Sequence, residues 1–256
     1  MDFLLAARLR HEISWAARPR PGMPTLVFLH EGLGCVAAWR DFPALLAAET
    51  GCGAFVYSRA GYGGSDPVAL PRPLDYMERE AALLPEILDV AGVRDAILVG
   101  HSDGASIAIL HGASDTASPR VRRLILEAPH VFVEDIGVKS IEEARDAWKN
   151  TDLKIKLTKL HGANVDVAFQ GWNRAWLDPA FRAWNIEAAL PRLRAPVLVI
   201  QGAEDPYGTL RQVEAIEAGS AAPVTRCLLT PCGHSPHKDR PAETLAAMAA
   251  FVRASP

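Results

Sequence analysis

Ala96-Ile97-Leu98-Val99-Gly100-His101-Ser102-Asp103-Gly104-Ala105-Ser106-Ile107-Ala108 divides into three parts: a short apolar run, the pattern G-x-S-x-G, and small and apolar residues that can begin a helix. A strand-to-helix turn this tight strains its central residue and brings neighbouring backbones together, so a Cβ at Gly100 or Gly104 would clash. Such a turn lifts the Ser102 hydroxyl above a sheet and starts a helix whose first N–H groups point towards it. G-x-S-x-G alone is common by chance. Between a buried strand and a helix start it singles out Ser102 as a candidate nucleophile.

Similar short runs recur along the chain at Thr25 to Leu29, Ala54 to Tyr57, Leu124 to Leu126, Val197 to Ile200 and Val224 to Leu229. Runs this brief and this continuously apolar suit strands covered on both faces, as parallel sheets flanked by helices require. Helical patterns lie between them, at Asp75 to Val90 and at Ala242 to Arg253, where Leu245, Met248, Ala249 and Val252 share a face behind Pro241. The alternation predicts an α/β fold with right-handed crossovers and a mostly parallel central sheet.

From His130 to Pro191 the rhythm breaks: no buried strand is predicted, while Ile141 to Lys149 and Asp152 to Leu160 look helical. Four of the six tryptophans, Trp148, Trp172, Trp176 and Trp184, fall in this interval with Phe169 and Phe181. The interval is an insertion between two strands. Its aromatics either face a pocket or pack onto the sheet, and packing is the commoner fate of each one singly.

The chain has 256 residues, 49% hydrophobic and 22% charged, enough for one large core and unlike disordered or fibrous chains. With 27 Lys and Arg against 30 Asp and Glu, and no long run of like charge, nucleic acid is not an expected partner. Cys35, Cys52, Cys227 and Cys232 form neither a CxxC pair nor a dense disulfide pattern, so reduced thiols and a cytoplasmic location are expected. The apolar stretch Phe3 to Ala7 is too short for a signal-peptide core, and no run approaches a membrane span.

A serine hydroxyl needs a base, and the base needs an acid to fix its tautomer. Past the strand ending at Ile200 comes Gln201-Gly202-Ala203-Glu204-Asp205-Pro206, and past the strand ending at Leu229 comes Pro231-Cys232-Gly233-His234-Ser235-Pro236-His237. Both loops follow strand C-termini, where catalytic groups gather in open α/β sheets. Glu204 or Asp205 can supply the acid, and His234 or His237 the base.

These segments, with Leu29-His30-Glu31-Gly32-Leu33-Gly34 and Ser58-Arg59-Ala60-Gly61-Tyr62-Gly63-Gly64-Ser65-Asp66, resemble the α/β-hydrolase family in its small, cofactor-free, lidded form, from about Thr25 to Val252. The resemblance implies Ser102 as nucleophile, His234 as general base and Asp205 as orienting acid. It also implies a core domain of residues 1–129 and 192–256, with 130–191 as a helical cap. Gly233 before His234 and Pro206 after Asp205 match the family pattern, which favours these two over His237 and Glu204.

In that family the oxyanion hole uses the N–H following the nucleophile, here Asp103, and one from the loop after the first central strand. Position-by-position matching puts the second donor at Gly32. Glu31 stands where a glycine is usual, which leaves Leu33 open as the donor, and Glu31 itself either structures the loop or contacts a polar or cationic substrate group. Leu33, His101, Trp172, Trp176 and Tyr207 are the further pocket candidates, although His101 also suits a packed neighbour of the nucleophile. His30 is read as a structural hydrogen-bonding residue.

No cofactor is implied. Gly32-Leu33-Gly34-Cys35-Val36-Ala37 fits the weak form of a dinucleotide fingerprint, but the next strand runs into Ser58-Arg59 and offers no acidic residue for a ribose. No metal is expected either, since HExxH and a third clustered ligand are absent. The expected activity is hydrolysis of a small carboxylic ester or lactone. Serine as nucleophile opposes dehalogenase or epoxide-hydrolase chemistry, and Asp103 stands where many C–C hydrolases and perhydrolases carry Met. C–C hydrolysis of a dioxo acid and a non-catalytic ligand-binding protein are the alternatives.

Overall fold

The apolar runs become strands of one sheet, and alternate residues of each strand enter opposite cores. This architecture is seen in a computed structural model that describes residues 2–117 and 119–254. The strands are β1 (Asp2–Ala6), β2 (Leu9–Ala17), β3 (Thr25–Leu29), β4 (Gly53–Tyr57), β5 (Ala96–His101), β6 (Val121–Glu127), β7 (Val197–Gly202) and β8 (Val224–Leu229). They lie in the order β1-β2-β4-β3-β5-β6-β7-β8, antiparallel as far as β4 and parallel beyond it.

Helices cover both faces: α1 (Phe42–Thr50), α2 (Tyr76–Val90), α3 (Asp103–Gly112), α4 (Asp135–Asn150), α5 (Leu153–His161), α6 (Val165–Trp176), α7 (Leu210–Gly219), α8 (Pro236–Asp239) and α9 (Pro241–Arg253). Val27 and Leu29 of β3, Leu98 of β5 and Val199 of β7 join one core with residues of α2, α3 and α7. Leu26 and Phe28, Ile97 and Val99, and Leu198 and Ile200 join the other, with Phe42 and Leu46 of α1 and Met248 of α9. Burial on both faces is why these strands show no polar alternation. Met248 and Ala249 are buried while Leu245 and Val252 pack partly buried beside them, so the apolar face predicted for the last helix is the face that docks.

Two features depart from the sequence expectation. The strands β1 and β2 were not anticipated, because they are only partly buried and carry Asp2, Arg10 and Glu12 among their apolar residues. Strand β6 starts three residues earlier than expected because its first turn of chain, Val121 to Arg123, is only partly covered.

The segment 130–191 adds α4, α5 and α6 but no strand to the sheet. Its buried Ile141, Leu157, Val165, Phe169, Trp172, Trp176 and Phe181 are continuous with the core on the α2 and α3 face. Trp148 stacks on Phe169 at 4.0 Å between ring centroids, and Trp184 on Phe181 at 5.4 Å, so these pairs hold the segment together. Among the described residues no helix is long and apolar enough to cross a membrane.

Candidate active site

Ser102 sits between β5 and α3 with φ 53° and ψ −118°, in the region that L-residues avoid. The close packing that imposes this is visible at both glycines. A Cβ on Gly100 would come within 2.6 Å of Ala105 N, and one on Gly104 would strike the carbonyl of Leu29 and come within 2.8 Å of His30 O. The turn is thus wedged between β3 and the first turn of α3, and the strain keeps the serine side chain at the C-terminal edge of the sheet.

That edge holds a cavity of about 210 Å³ lined by Ser102, Asp103, His234, Gly32, Leu33, Glu31, His130, Trp172, Trp176, Tyr207, Gly137, Ile141 and Ser235. Asp205, in the loop after β7, accepts at both carboxylate oxygens from His234 Nδ1, at 2.9 and 2.8 Å. Gln201 Nε2 and the Tyr207 N–H donate to the same carboxylate, each at 2.8 Å. Burial alone would raise the Asp205 pKa, but the bond and charge of His234 outweigh it and hold the carboxyl below its ordinary value. His234 therefore has an ionised partner at Nδ1, and its ring lies between those of Tyr207 at 4.6 Å and His130 at 5.6 Å. Ser102 and His234 line the same cavity, and no hydrogen bond joins their side chains.

The rivals fall elsewhere. His237 packs on Trp39 at 4.8 Å and bonds Glu127 Oε2 through Nδ1 at 2.7 Å, away from the cavity lining. Glu204 is exposed. Of the two readings of His101, the packed neighbour of the nucleophile is the one seen, and the pocket role is not: the residue is wholly buried and absent from the lining. Its Nε2 donates to the His234 carbonyl at 2.6 Å, and Nδ1 faces Glu31 Oε2 at 3.5 Å, an ion-pair distance longer than an ordinary hydrogen bond. Burial opposes a charge on His101, but the Glu31 carboxylate outweighs it and raises the His101 pKa. Glu31, whose Oε1 is also 3.5 Å from Lys238 Nζ, is correspondingly held well below the usual carboxylate range despite its burial. The Glu31 carboxylate thus faces two side-chain cations and also lines the cavity.

The loop after β3 is built from its carbonyls outward. His30 Nδ1 donates to Glu31 O at 2.7 Å, and His161 Nε2 donates to Leu33 O at 2.9 Å. His161 Nδ1 accepts from the Gly63 N–H at 3.0 Å, which fixes a neutral tautomer without ambiguity, since an amide N–H can only donate and a carbonyl only accept. Burial lowers the His161 pKa in keeping with this. The N–H groups of Gly32, Leu33 and Asp103 have no acceptor among the described residues. The stretch matching a dinucleotide fingerprint is this loop, and it leads into a four-residue 3-10 turn, Val36–Trp39.

The Asp103 side chain turns from the serine to accept from Tyr76 Oη at 2.5 Å and Trp176 Nε1 at 3.3 Å. Burial raises its pKa, partly offset by Arg59 and by these donors. His130, at the C-terminal end of β6, is a site residue the sequence reading did not select. Its position just past a strand end, the rule that located Asp205 and His234, was the available signal. Burial, reinforced by the His234 charge, lowers its pKa to about 3, so it presents a neutral ring to the cavity.

Known proteins agree with this architecture. The model of the alpha/beta hydrolase family matches residues 26–247. The serine hydrolase BPHL of Homo sapiens is 25% identical over 153 residues, 57% of this chain and 51% of that protein, so the chain spans about half the length of this curated relative. Solved structures with the same fold include a serine hydrolase involved in carbazole degradation (TM-score 0.77, 16% identity, covering 98% of this chain and 97% of that one). The enol-lactonase of Burkholderia xenovorans LB400 gives 0.75 at 16% identity, covering 99% of this chain and 100% of its own. Carboxylesterase CesB of Bacillus subtilis gives 0.74 at 18% identity, covering 100% of this chain and 92% of that one. At such identities the likeness is one of fold.

Proposed function

The chain belongs to the alpha/beta hydrolase family, and we propose that it is a serine hydrolase cleaving a small carboxylic ester or lactone through an acyl-enzyme on Ser102. The observation that carries this reading is the strained Ser102, sharing one cavity with a His234 whose Nδ1 is tied to an ionised Asp205 at 2.8 Å. A serine held at that backbone cost with a base and an acid at hand suits nucleophilic attack.

In this reading His234 Nε2 takes the Ser102 proton as Oγ attacks the substrate carbonyl, and Asp205 stabilises the imidazolium that forms. The N–H groups of Gly32 and Asp103 receive the oxyanion. His234 then gives the proton to the leaving alkoxide, and water repeats the sequence to release the acid and restore Ser102. Segment 130–191 acts as a cap, with Trp172 and Trp176 over the cavity beside Tyr207. A cavity of about 210 Å³ with these aromatic walls favours a small, partly apolar acyl or alcohol group.

The test is covalent labelling with a fluorophosphonate, located by peptide mass spectrometry, on the wild type and on His234→Ala. Labelling at Ser102 that is lost in the variant supports the reading and directs an ester and lactone panel. A folded wild type that does not label rejects it in favour of a ligand-binding role.

A further inference from the structure

Arg59 is 1% exposed, yet among the described residues its guanidinium forms no ion pair with a carboxylate. A buried cation normally meets a carboxylate that matches its fork. Here the fork grips two consecutive main-chain carbonyls: Nη1 donates to His30 O at 2.5 Å and Nη2 to Glu31 O at 3.0 Å. The Arg59 N–H donates to His30 Nε2 at 3.1 Å, so His30 must carry its proton on Nδ1, which donates to Glu31 O at 2.7 Å. The Gly34 N–H adds a third bond to that oxygen at 3.1 Å.

One carbonyl with three donors, one of them a cation, is strongly polarised. The Glu31 carbonyl shares a planar trans peptide with the Gly32 N–H, which therefore points the opposite way. Gly32 lines the cavity, and its N–H has no acceptor among the described residues. The next peptide differs, because Gly32 O receives no donor and the Leu33 N–H gains no such polarisation. The arrangement selects Gly32 over Leu33.

We propose that Arg59 is a positioning residue for the oxyanion hole: it fixes and polarises the Glu31–Gly32 peptide so that the Gly32 N–H is a stronger donor to the transition state. This rests on the serine-hydrolase reading of the site. It accounts for a buried guanidinium spent on carbonyls, and it makes the charge useful where the Asp103 carboxylate, just past the nucleophile, would otherwise oppose an oxyanion. His30 is held neutral by burial and by Arg59, so among the described residues Arg59 is the cation that donates to this peptide.

The experiment compares wild type, Arg59→Lys and Arg59→Gln with p-nitrophenyl acetate, each normalised to sites titrated by fluorophosphonate so that misfolded protein does not count. The expected result for Arg59→Gln is a kcat per titrated site lower by on the order of tenfold, less than the loss of a whole oxyanion donor. KM should stay within about twofold, since the effect falls on the transition state. Affinity for phenylboronic acid, which becomes a tetrahedral anion on the serine, should weaken in parallel, and Arg59→Lys should lie between. Unchanged kcat and boronate affinity in folded Arg59→Gln overturn the proposal. If that variant does not fold, Arg59→Lys decides by the same constants. The amide proton of Gly32 gives a reading independent of turnover: it should move upfield in Arg59→Lys, and an unmoved resonance overturns the proposal. A wild type that fails to label at Ser102 overturns the hydrolase reading itself, a result none of the Arg59 comparisons can mimic.

Discussion

His101, the residue before the candidate nucleophile, donates from Nε2 to the main-chain carbonyl of His234 at 2.6 Å, while its other ring nitrogen faces Glu31. One imidazole thus ties together the strand end that carries Ser102, the loop that carries the candidate base and the loop that carries Gly32. All three must keep register for the proton transfer proposed above.

Glu31→Gln should break this tie. The two pKa shifts set the sign. His101 is raised by Glu31, so its contribution is complete below about pH 6.5 and is lost as pH rises through its folded value. Glu31 is lowered, so its own contribution is lost only in strong acid. The variant should therefore be less stable by about 2 kcal/mol or more at pH 6, towards the range for breaking a buried pair, and closer to wild type at pH 9. Urea denaturation at the two pH values measures this, and an equal deficit at both would contradict it.

Gly32→Ala should impair turnover although it leaves the N–H in place. A Cβ there would fall on the Trp172 indole, at Cδ1 and Nε1. The loop or the ring must move, and misplacing an oxyanion donor costs on the order of 100-fold in kcat. Adding Trp172→Ala makes room for the methyl group, so the double variant should recover part of the loss. Steady-state kinetics on the two single variants and the double one give the coupling.

Asp205→Asn should lower kcat by about 10⁴-fold with little change in folding, because the amide can hold His234 in the wrong tautomer. Turnover beside a thermal melt separates the chemical effect from a structural one. A loss smaller than tenfold would move the orienting role to another group.

Stability should fall steeply in mild acid. His30, His111, His130 and His161 are all buried, and burial lowers the pKa of each, to about 4 for His111 and about 3 for His130. The unfolded chain takes up protons near pH 6.5 that the folded chain refuses, so stability is complete above that pH and is lost as pH falls towards the folded values. Each such residue contributes a slope of up to about 1.4 kcal/mol per pH unit, while His101, whose pKa is raised, is protonated in both states below about pH 6.5 and adds none there. A net slope of up to about 5 kcal/mol per pH unit near pH 5 is expected from denaturation at pH 7, 6 and 5, flattened in His111→Gln.

The elbow was legible because its determinants are local: a strand, two glycines that forbid a Cβ, and a helix start lie within 13 residues. Strands β3 to β7 were legible because burial on both faces leaves an apolar mark, and β8, at the opposite edge of the sheet and mostly uncovered, was legible from its apolar residues alone. Strands β1 and β2 carry no such mark, since they are only partly buried and mix polar with apolar residues. The supporting shell was hidden for another reason. Arg59 meets Glu31 across 28 positions, and His237 meets Glu127 across 110. Neither pair leaves a periodic trace, and His101 looks the same in sequence whether it lines a cavity or is buried away from it.

His161 comes from the end of α5, yet it holds Leu33 O and the Gly63 N–H of the hydrolase core, and nearby Asn164 Nδ2 holds Gly63 O at 3.1 Å and Ser65 O at 2.6 Å. Residues 161–164 are therefore as much a part of the loops around the candidate site as of the segment 130–191. Anyone grafting a different insertion onto this core would have to leave those four residues behind as a sill.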